Sequence, residues 1–354
     1  MNVLFLFLDC LRLDRLPLMR RLRCVVHQPG WTGFANHYSA AHCSDPNFLT
    51  ILTGGLPDDH GVYTQMGSTF TKPFRTLPVL LQQQGYFTWA YEPVKVPAFY
   101  RNGYEQIIYH GTNQVSPVDG KAIKQVLRAA PAQPWFGFMR VMDTHYPYNG
   151  KPLPAERTAI PHQYDLAVRH IDRFVSWLVR WVLENYPDTV IVLGADHGES
   201  LGDNGLYDHL FTLRDTLVRV PMFLYLPGAP QRTILSLTQH PMLFGIARGA
   251  TGLGNSFIHE QLQHLPAEAK ILHGEDNRPV ELISLAGWGA AGREQWKHRS
   301  IVADLNPTDP QPLKYSVNWH LDKGAGFELT LTHFRTAQLA LRQCNLTRID
   351  SKVQ

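Results

Sequence analysis

Most of the features that mark specialised chain classes are scarce in this 354-residue sequence. Cysteine occurs only at Cys10, Cys24, Cys43 and Cys344, with no C-x-x-C pair, which excludes a disulfide framework and a thiolate zinc ribbon. No run approaches the ~18 apolar residues of a membrane-spanning helix. The opening apolar run, Val3–Leu8, is short, lacks a preceding basic residue and stops at Asp9, so it is not expected to be a secretory signal. Charge of one sign is also missing: 33 Lys and Arg against 30 Asp and Glu leave +3. With no basic stripe interleaved with aromatics, a nucleic-acid partner is excluded. The expectation is a cytoplasmic protein in a reducing compartment. Apolar residues at 44% and charged residues at 18% supply a large core and rule out global disorder.

Three short apolar runs read as buried parallel strands: Val3–Leu8, Trp135–Val141 and Thr189–Leu193. Each is followed by polar residues, namely Asp9, then Asp143 and His145, then Asp196 and His197. Because ligands of open α/β sheets sit beyond the carboxyl ends of the strands, three strands are expected to deliver Asp and His to one sheet edge. Helices are predicted over Leu77–Gln84 and Tyr164–Glu184, and a further strand over Arg219–Leu226. Phe174, Trp177 and Trp181 have helical spacing and are expected in the core. Gly249–Gly254 reads as a connection. Short strands at Val280–Ser284, Ser300–Ala303 and Glu328–Thr332 point to a smaller β-rich C-terminal portion. The fold class expected is α/β, with a central mostly parallel sheet flanked by helices. Residues 1–250 would form the catalytic domain and 251–354 a subdomain packed on it.

Carboxylate and imidazole at strand ends suit a divalent ion. Asp9 could bind such an ion or cap a helix. Gly198 in Asp196-His197-Gly198-Glu199 would permit a tight turn holding both side chains near one ion. In Ala41–Val62, Ser44 precedes Pro46 and a helix-like run ending at Thr53-Gly54-Gly55. A hydroxyl at a helix N-terminus sits in a positive field and suits nucleophilic attack on an anion. Equally, Ser44 could cap a helix that starts at Pro46.

Taken together these segments resemble the sulfatase branch of the alkaline phosphatase superfamily. The residues concerned are LFLFLDCLRLD, the S-x-P segment with Thr53-Gly54 and His60-Gly61, Gly85-Tyr86-Phe87-Thr88, Asp143-Thr144-His145-Tyr146-Pro147-Tyr148, DHGESLGDNGLYDH and Arg219-Val220-Pro221. The resemblance covers residues 2 to 230. It implies one divalent metal ion (zinc, manganese, calcium or magnesium) bound by Asp9, Ser44, Asp196 and His197, with Ser44 rather than Cys43 as nucleophile. His145 would contact the transferred group or the leaving oxygen, and His209 the substrate anion. Arg12 would be structural or near the site, His60 a packing residue, and Tyr146 and Tyr148 pocket wall.

The sequence also departs from that family. Sulfatases convert a Cys or Ser within C/S-x-P-x-R to formylglycine, but Phe48 stands at the arginine position. Cys10 occupies the place of the usual second metal aspartate, and Glu92-Pro93 that of the usual Gly-Lys. What remains is similar to the phosphoglycerol and phosphoethanolamine transferases of the same superfamily, which use an unmodified hydroxyl. The expected activity is cleavage of a phosphate or sulfate ester through a covalent intermediate on Ser44, with a small-molecule, glycan or lipid ester as substrate. The alternatives are a formylglycine-type sulfatase and a catalytically silent metal-binding relative. The alcohol half of the substrate is expected to meet the C-terminal portion and the Tyr91–Asn113 region.

Overall fold

A computed structural model describes residues 1–62, 74–93, 101–109, 120–129, 134–209 and 213–253, and the backbone of four strands between 280 and 331. In chain order the elements are β1 (Asn2–Leu8), α1 (Arg20–Val26), β2 (Trp31–Tyr38), α2 (Ser44–Thr53), α3 (Pro57–His60), α4 (Leu77–Gln82), β3 (Phe87–Glu92), β4 (Gln106–Tyr109) and α5 (Gly120–Ala129). They continue as β5 (Trp135–Val141), α6 (Ile160–Asn185), β6 (Thr189–Gly194), β7 (Ser200–Leu201), β8 (Tyr207–Asp208), α7 (Asp215–Val218), β9 (Met222–Tyr225), β10 (Arg232–Gln239) and α8 (Pro241–Ala250). The last strands are β11 (Val280–Ala286), β12 (Trp296–Ala303), β13 (Leu313–His320) and β14 (Phe327–Leu331).

Eight strands form the main sheet in the order β10-β2-β9-β6-β1-β5-β3-β4. Every neighbouring pair is parallel except those made by β9, which runs antiparallel to both β2 and β6. The expected α/β class with a mostly parallel sheet therefore holds. The three apolar runs are the central strands, and β1 lies between β6 and β5 with Leu8 beside Val141 and Phe7 beside Gly194.

Side-chain alternation divides the core in two. Leu4, Leu6 and Leu8 of β1 enter a cluster with α1, α5 and α6, while Val3, Phe5 and Phe7 enter a second cluster with α2, α4 and α8. Helix α6 begins four residues before its expected start, with Pro161 in its first turn. The aromatic stripe on it is less buried than expected. Trp177 is 37% exposed, stacks on Trp181 and carries the Lys124 ammonium of α5 at 4.6 Å, so it seals a helix–helix seam at the surface.

The expected connection at Gly249–Gly254 begins inside α8, and Gly254 lies outside the described residues. Four antiparallel strands, β11-β12-β13-β14, form a separate sheet. Three of them match the expected strands; β13 had no counterpart, and Thr332 and Cys344 lie outside the described residues.

Candidate active site

Strand polarity builds the site. Asp9 follows Phe7 on the α2 face of β1, so its carboxylate leaves the sheet toward the N-terminus of α2. The same alternation in β5 puts Phe136, Phe138 and Arg140 on that face. Asp196 and His197 come just after β6. Gly198 serves close approach here rather than a left-handed turn: a Cβ on it would lie 2.0 Å from the Thr216 carbonyl oxygen. Helix α2 starts at Ser44 itself. Cys43, extended at φ −141°, holds the capping position, so Ser44 is not the cap and its hydroxyl is turned to the site. Asp9 caps no helix either, since the turn after β1 is preceded by Arg12.

Four side chains converge within a few ångströms. Ser44 Oγ lies 3.4 Å from Asp9 Oδ2 and 3.1 Å from His197 Nε2. His197 Nε2 is 3.7 Å from Asp9 Oδ1 and 3.4 Å from Asp196 Oδ2. All four residues are buried. Donor atoms about 2.0–2.2 Å from a shared ion stand about 3.3–3.6 Å apart when tetrahedral, so these spacings fit one small divalent cation. The chemistry agrees. Asp196 Oδ2 accepts no hydrogen bond, and burial together with the Asp9 charge pushes its carboxyl up despite the opposing Arg140 charge. Burial and the neighbouring His209 hold His197 neutral, with Nδ1 against the Gly198 carbonyl at 2.8 Å and Nε2 facing the carboxylates.

Cys10 joins the group. Its backbone is left-handed at φ +65°, its N–H donates to Asp196 Oδ1 at 3.3 Å, and its Sγ lies 3.1 Å from Asp9 Oδ1. Among the described residues three overlapping groups could hold a metal: Asp9, Cys10 and His197; Cys10, His145 and His209; and Glu199, Asp208 and His209. Burial and the nearby carboxylates push the Cys10 thiol up. The Cys10 carbonyl accepts from Tyr164 Oη at 2.7 Å, and Tyr148 packs against the Tyr164 ring, which places Tyr148 behind the site, whereas Tyr146 is exposed.

The two expected histidines stand at the edge of this cluster. His209 Nδ1 is 2.9 Å from Asp208 Oδ1 and 3.4 Å from Glu199 Oε1. Burial alone would lower its pKa, but these carboxylates raise it well above the ordinary value and keep the ring cationic. His145 is half-buried, with its ring centroid 5.1 Å from that of His209. His60 is structural, as expected, with Nε2 3.1 Å from Thr50 Oγ1. Arg12 lies behind the site, bonded to Asp14, Asp203 and the Glu199 carbonyl.

Arg140 was not anticipated. Its Nε donates to Asp9 Oδ2 at 2.7 Å and its Nη2 to Ser44 Oγ at 3.1 Å. Burial would raise the Asp9 carboxyl, but the Arg140 guanidinium holds it well below the usual carboxylate range. One signal was present: Arg140 is the single charge in the fully buried strand WFGFMRV. Glu92, at the end of β3, is buried and pushed up to about 8 by desolvation.

The site thus sets a hydroxyl, two carboxylates and an imidazole at the carboxyl edge of a mostly parallel α/β sheet. The model of the sulfatase family matches residues 14–246, and the chain belongs to that family. No curated protein matches it. Among solved structures it is similar to a 2-O GAG sulfatase (TM-score 0.69, 15% identity, covering 98% of this chain and 90% of that one). It is also similar to a phosphonate monoester hydrolase of Agrobacterium radiobacter (TM-score 0.66, 15% identity, 98% and 93% covered). A third is the C-terminal periplasmic domain of EcEptC from Escherichia coli in complex with zinc (TM-score 0.57, 15% identity, 71% and 82% covered). Among the described residues no helix is long and apolar enough to cross a membrane.

Proposed function

We propose that this chain is a metal-dependent hydrolase of phosphate or sulfate esters, with Ser44 as its nucleophile. The observation that carries the reading is Ser44 Oγ, buried at the first residue of α2 and within 3.4 Å of both Asp9 Oδ2 and His197 Nε2. Asp9, Ser44, Asp196 and His197 are the residues that would hold a divalent ion, with Cys10 a further donor beside them. The chemistry such an ion supplies when bound is stabilisation of negative charge on the serine oxygen and on the group being transferred.

The chain's own residues set the rest. The N-terminus of α2 directs backbone N–H groups toward an anion attached to Ser44. Ser44 releases its hydroxyl proton to solvent, from which His145 is later reprotonated, as Oγ forms a bond to phosphorus or sulfur and the ester bond to the alcohol breaks. His145 stands at the mouth to give the departing oxygen its proton, and His209, held cationic by Asp208 and Glu199, contacts the anion. Water then cleaves the Ser44 ester, releasing the acid and restoring the hydroxyl. Phe48 in place of arginine supports an unmodified Ser44, and with it a phosphorus centre ahead of a sulfur one. Residues 251–354 would serve as a subdomain contacting the alcohol, as would the Tyr91–Asn113 region, most of which lies outside the described residues.

Ser44→Ala tests the nucleophile. Turnover of an aryl phosphate, a phosphodiester or an aryl sulfate, with zinc, manganese, magnesium or calcium supplied, should fall by about 10³-fold or more, while the folded fraction stays unchanged. Equal turnover by the variant would refute the assignment.

A further inference from the structure

Arg140 touches the reacting atom, yet neither the motifs nor the metal reading gives it a role. We infer that Arg140 is the oxyanion-binding arginine of this site, delivered by β5 across the sheet onto a floor made by Phe48. The inference rests on Ser44 as the reacting group and names what holds the transferred group.

Three observations carry it. Nη2 of Arg140 lies 3.1 Å from Ser44 Oγ, so any phosphoryl or sulfuryl group bonded to that oxygen places its own oxygens within reach of the guanidinium. The guanidinium carbon sits 5.1 Å over the Phe48 ring, which is wedged edge-on between Phe7 and Phe138 at 5.9 and 5.4 Å. Ser44 and Phe48 are four apart in α2 and share one helix face, so the ring holds the arginine plane at the height of the hydroxyl. Finally, the Arg140–Asp9 pair is almost wholly withdrawn from water, with side chains 4% and 0% exposed. Such a pair is no more stabilising than apolar packing, and a fixed donor array for an anion is a use that accounts for keeping it.

The rival role is purely structural, as the counter-charge of Asp9. The two separate by ligand. Inorganic phosphate, sulfate and vanadate are titrated calorimetrically into the full chain saturated with zinc, for wild type, Arg140→Gln, Arg140→Lys, Arg140→Met, Ser44→Ala and the transplant Arg140→Met/Phe48→Arg. Zinc stoichiometry and Tm are measured alongside. Arg140→Gln should bind the oxyanions at least about tenfold more weakly while still taking up zinc. Arg140→Lys should recover part of that loss, and the transplant should recover more than Arg140→Met alone. Ser44→Ala should lose turnover but keep oxyanion affinity. Unchanged affinity in Arg140→Gln, or a zinc-loaded wild type that binds none of the three anions, overturns the assignment. If Arg140→Gln does not fold, the comparison of Arg140→Lys with wild type decides, and equal affinity and turnover there would overturn it too. A wild type that takes up none of zinc, manganese, magnesium and calcium brings down the metal reading and this assignment with it.

Discussion

Two arginines flank the candidate site, Arg12 behind it and Arg140 in its floor, and each is only 3% exposed. Their partners differ. Arg12 bonds Asp14 and Asp203, whose side chains are 49% and 31% exposed, and the Glu199 carbonyl; it ties the turn after β1 to the loop between β7 and β8. Arg140 bonds Asp9, which water does not reach at all, and the Ser44 hydroxyl. Water can therefore replace Arg12 at its carboxylates and cannot replace Arg140. Asp143 extends the contrast, since both its oxygens are buried with no hydrogen-bond donor. An arginine holds the Asp9 carboxyl far below its ordinary range, whereas burial without one pushes Asp143 up to about 7.

The largest effect is expected from Asp9→Ala, which leaves the Arg140 guanidinium buried and uncompensated. Breaking a buried pair in this way costs about 3–5 kcal/mol. Urea unfolding should show a drop of that size together with loss of zinc uptake, and a drop below about 1 kcal/mol would mean that water enters the site. Arg12→Ala should cost less, about 1 kcal/mol, because its carboxylates are partly solvated. Zinc uptake should survive in that variant, and its loss would place Arg12 with Arg140 instead of apart from it.

The smallest effect is a slope. Asp143 ordinarily titrates near 3.8 and in the fold near 7, so the folded state holds a proton that the unfolded state has released between those values. Its stability contribution is therefore greatest below about pH 4 and declines as pH rises toward 7, by at most about 1.4 kcal/mol per pH unit. His170 faces it, with Nε2 4.0 Å from Asp143 Oδ1. Asp143→Asn should match wild type in unfolding free energy near pH 4 and exceed it at pH 8. A difference between the two that does not change with pH would show that Asp143 titrates normally.

Much of the scaffold was legible because central parallel strands are buried on both faces and so read as unbroken apolar runs. β1, β5 and β6 were visible in this way, and their ends pointed to Asp9, Asp196 and His197. β2 was not, since WTGFANHY buries Asn36 and His37 among its apolar residues and so has no simple pattern. His145 also followed a strand end, whereas its role and the choice of His209 came from resemblance; the two rings lie together beside the cluster. Arg140 escaped because its meaning depends on which face of β5 meets α2. The true cap of α2 escaped because Ser44 before Pro46 reads as the cap of a helix starting at that proline, whereas the structure starts the helix at Ser44 with Cys43 as its cap.

The sequence by itself determined which residues end the central strands and that a hydroxyl lies at or just before the start of the helix holding Pro46, because side-chain direction follows backbone period within a few residues. It also determined the α/β class, since apolar runs of strand length alternating with helical periods leave few other ways to bury a core. Only the tertiary structure decided that Arg140 meets Ser44, 96 residues earlier, and that Phe48 lies beneath it. Such a contact is fixed by strand order and by the packing of α2 on one sheet face, and these emerge only when the whole chain minimises its exposed apolar surface together.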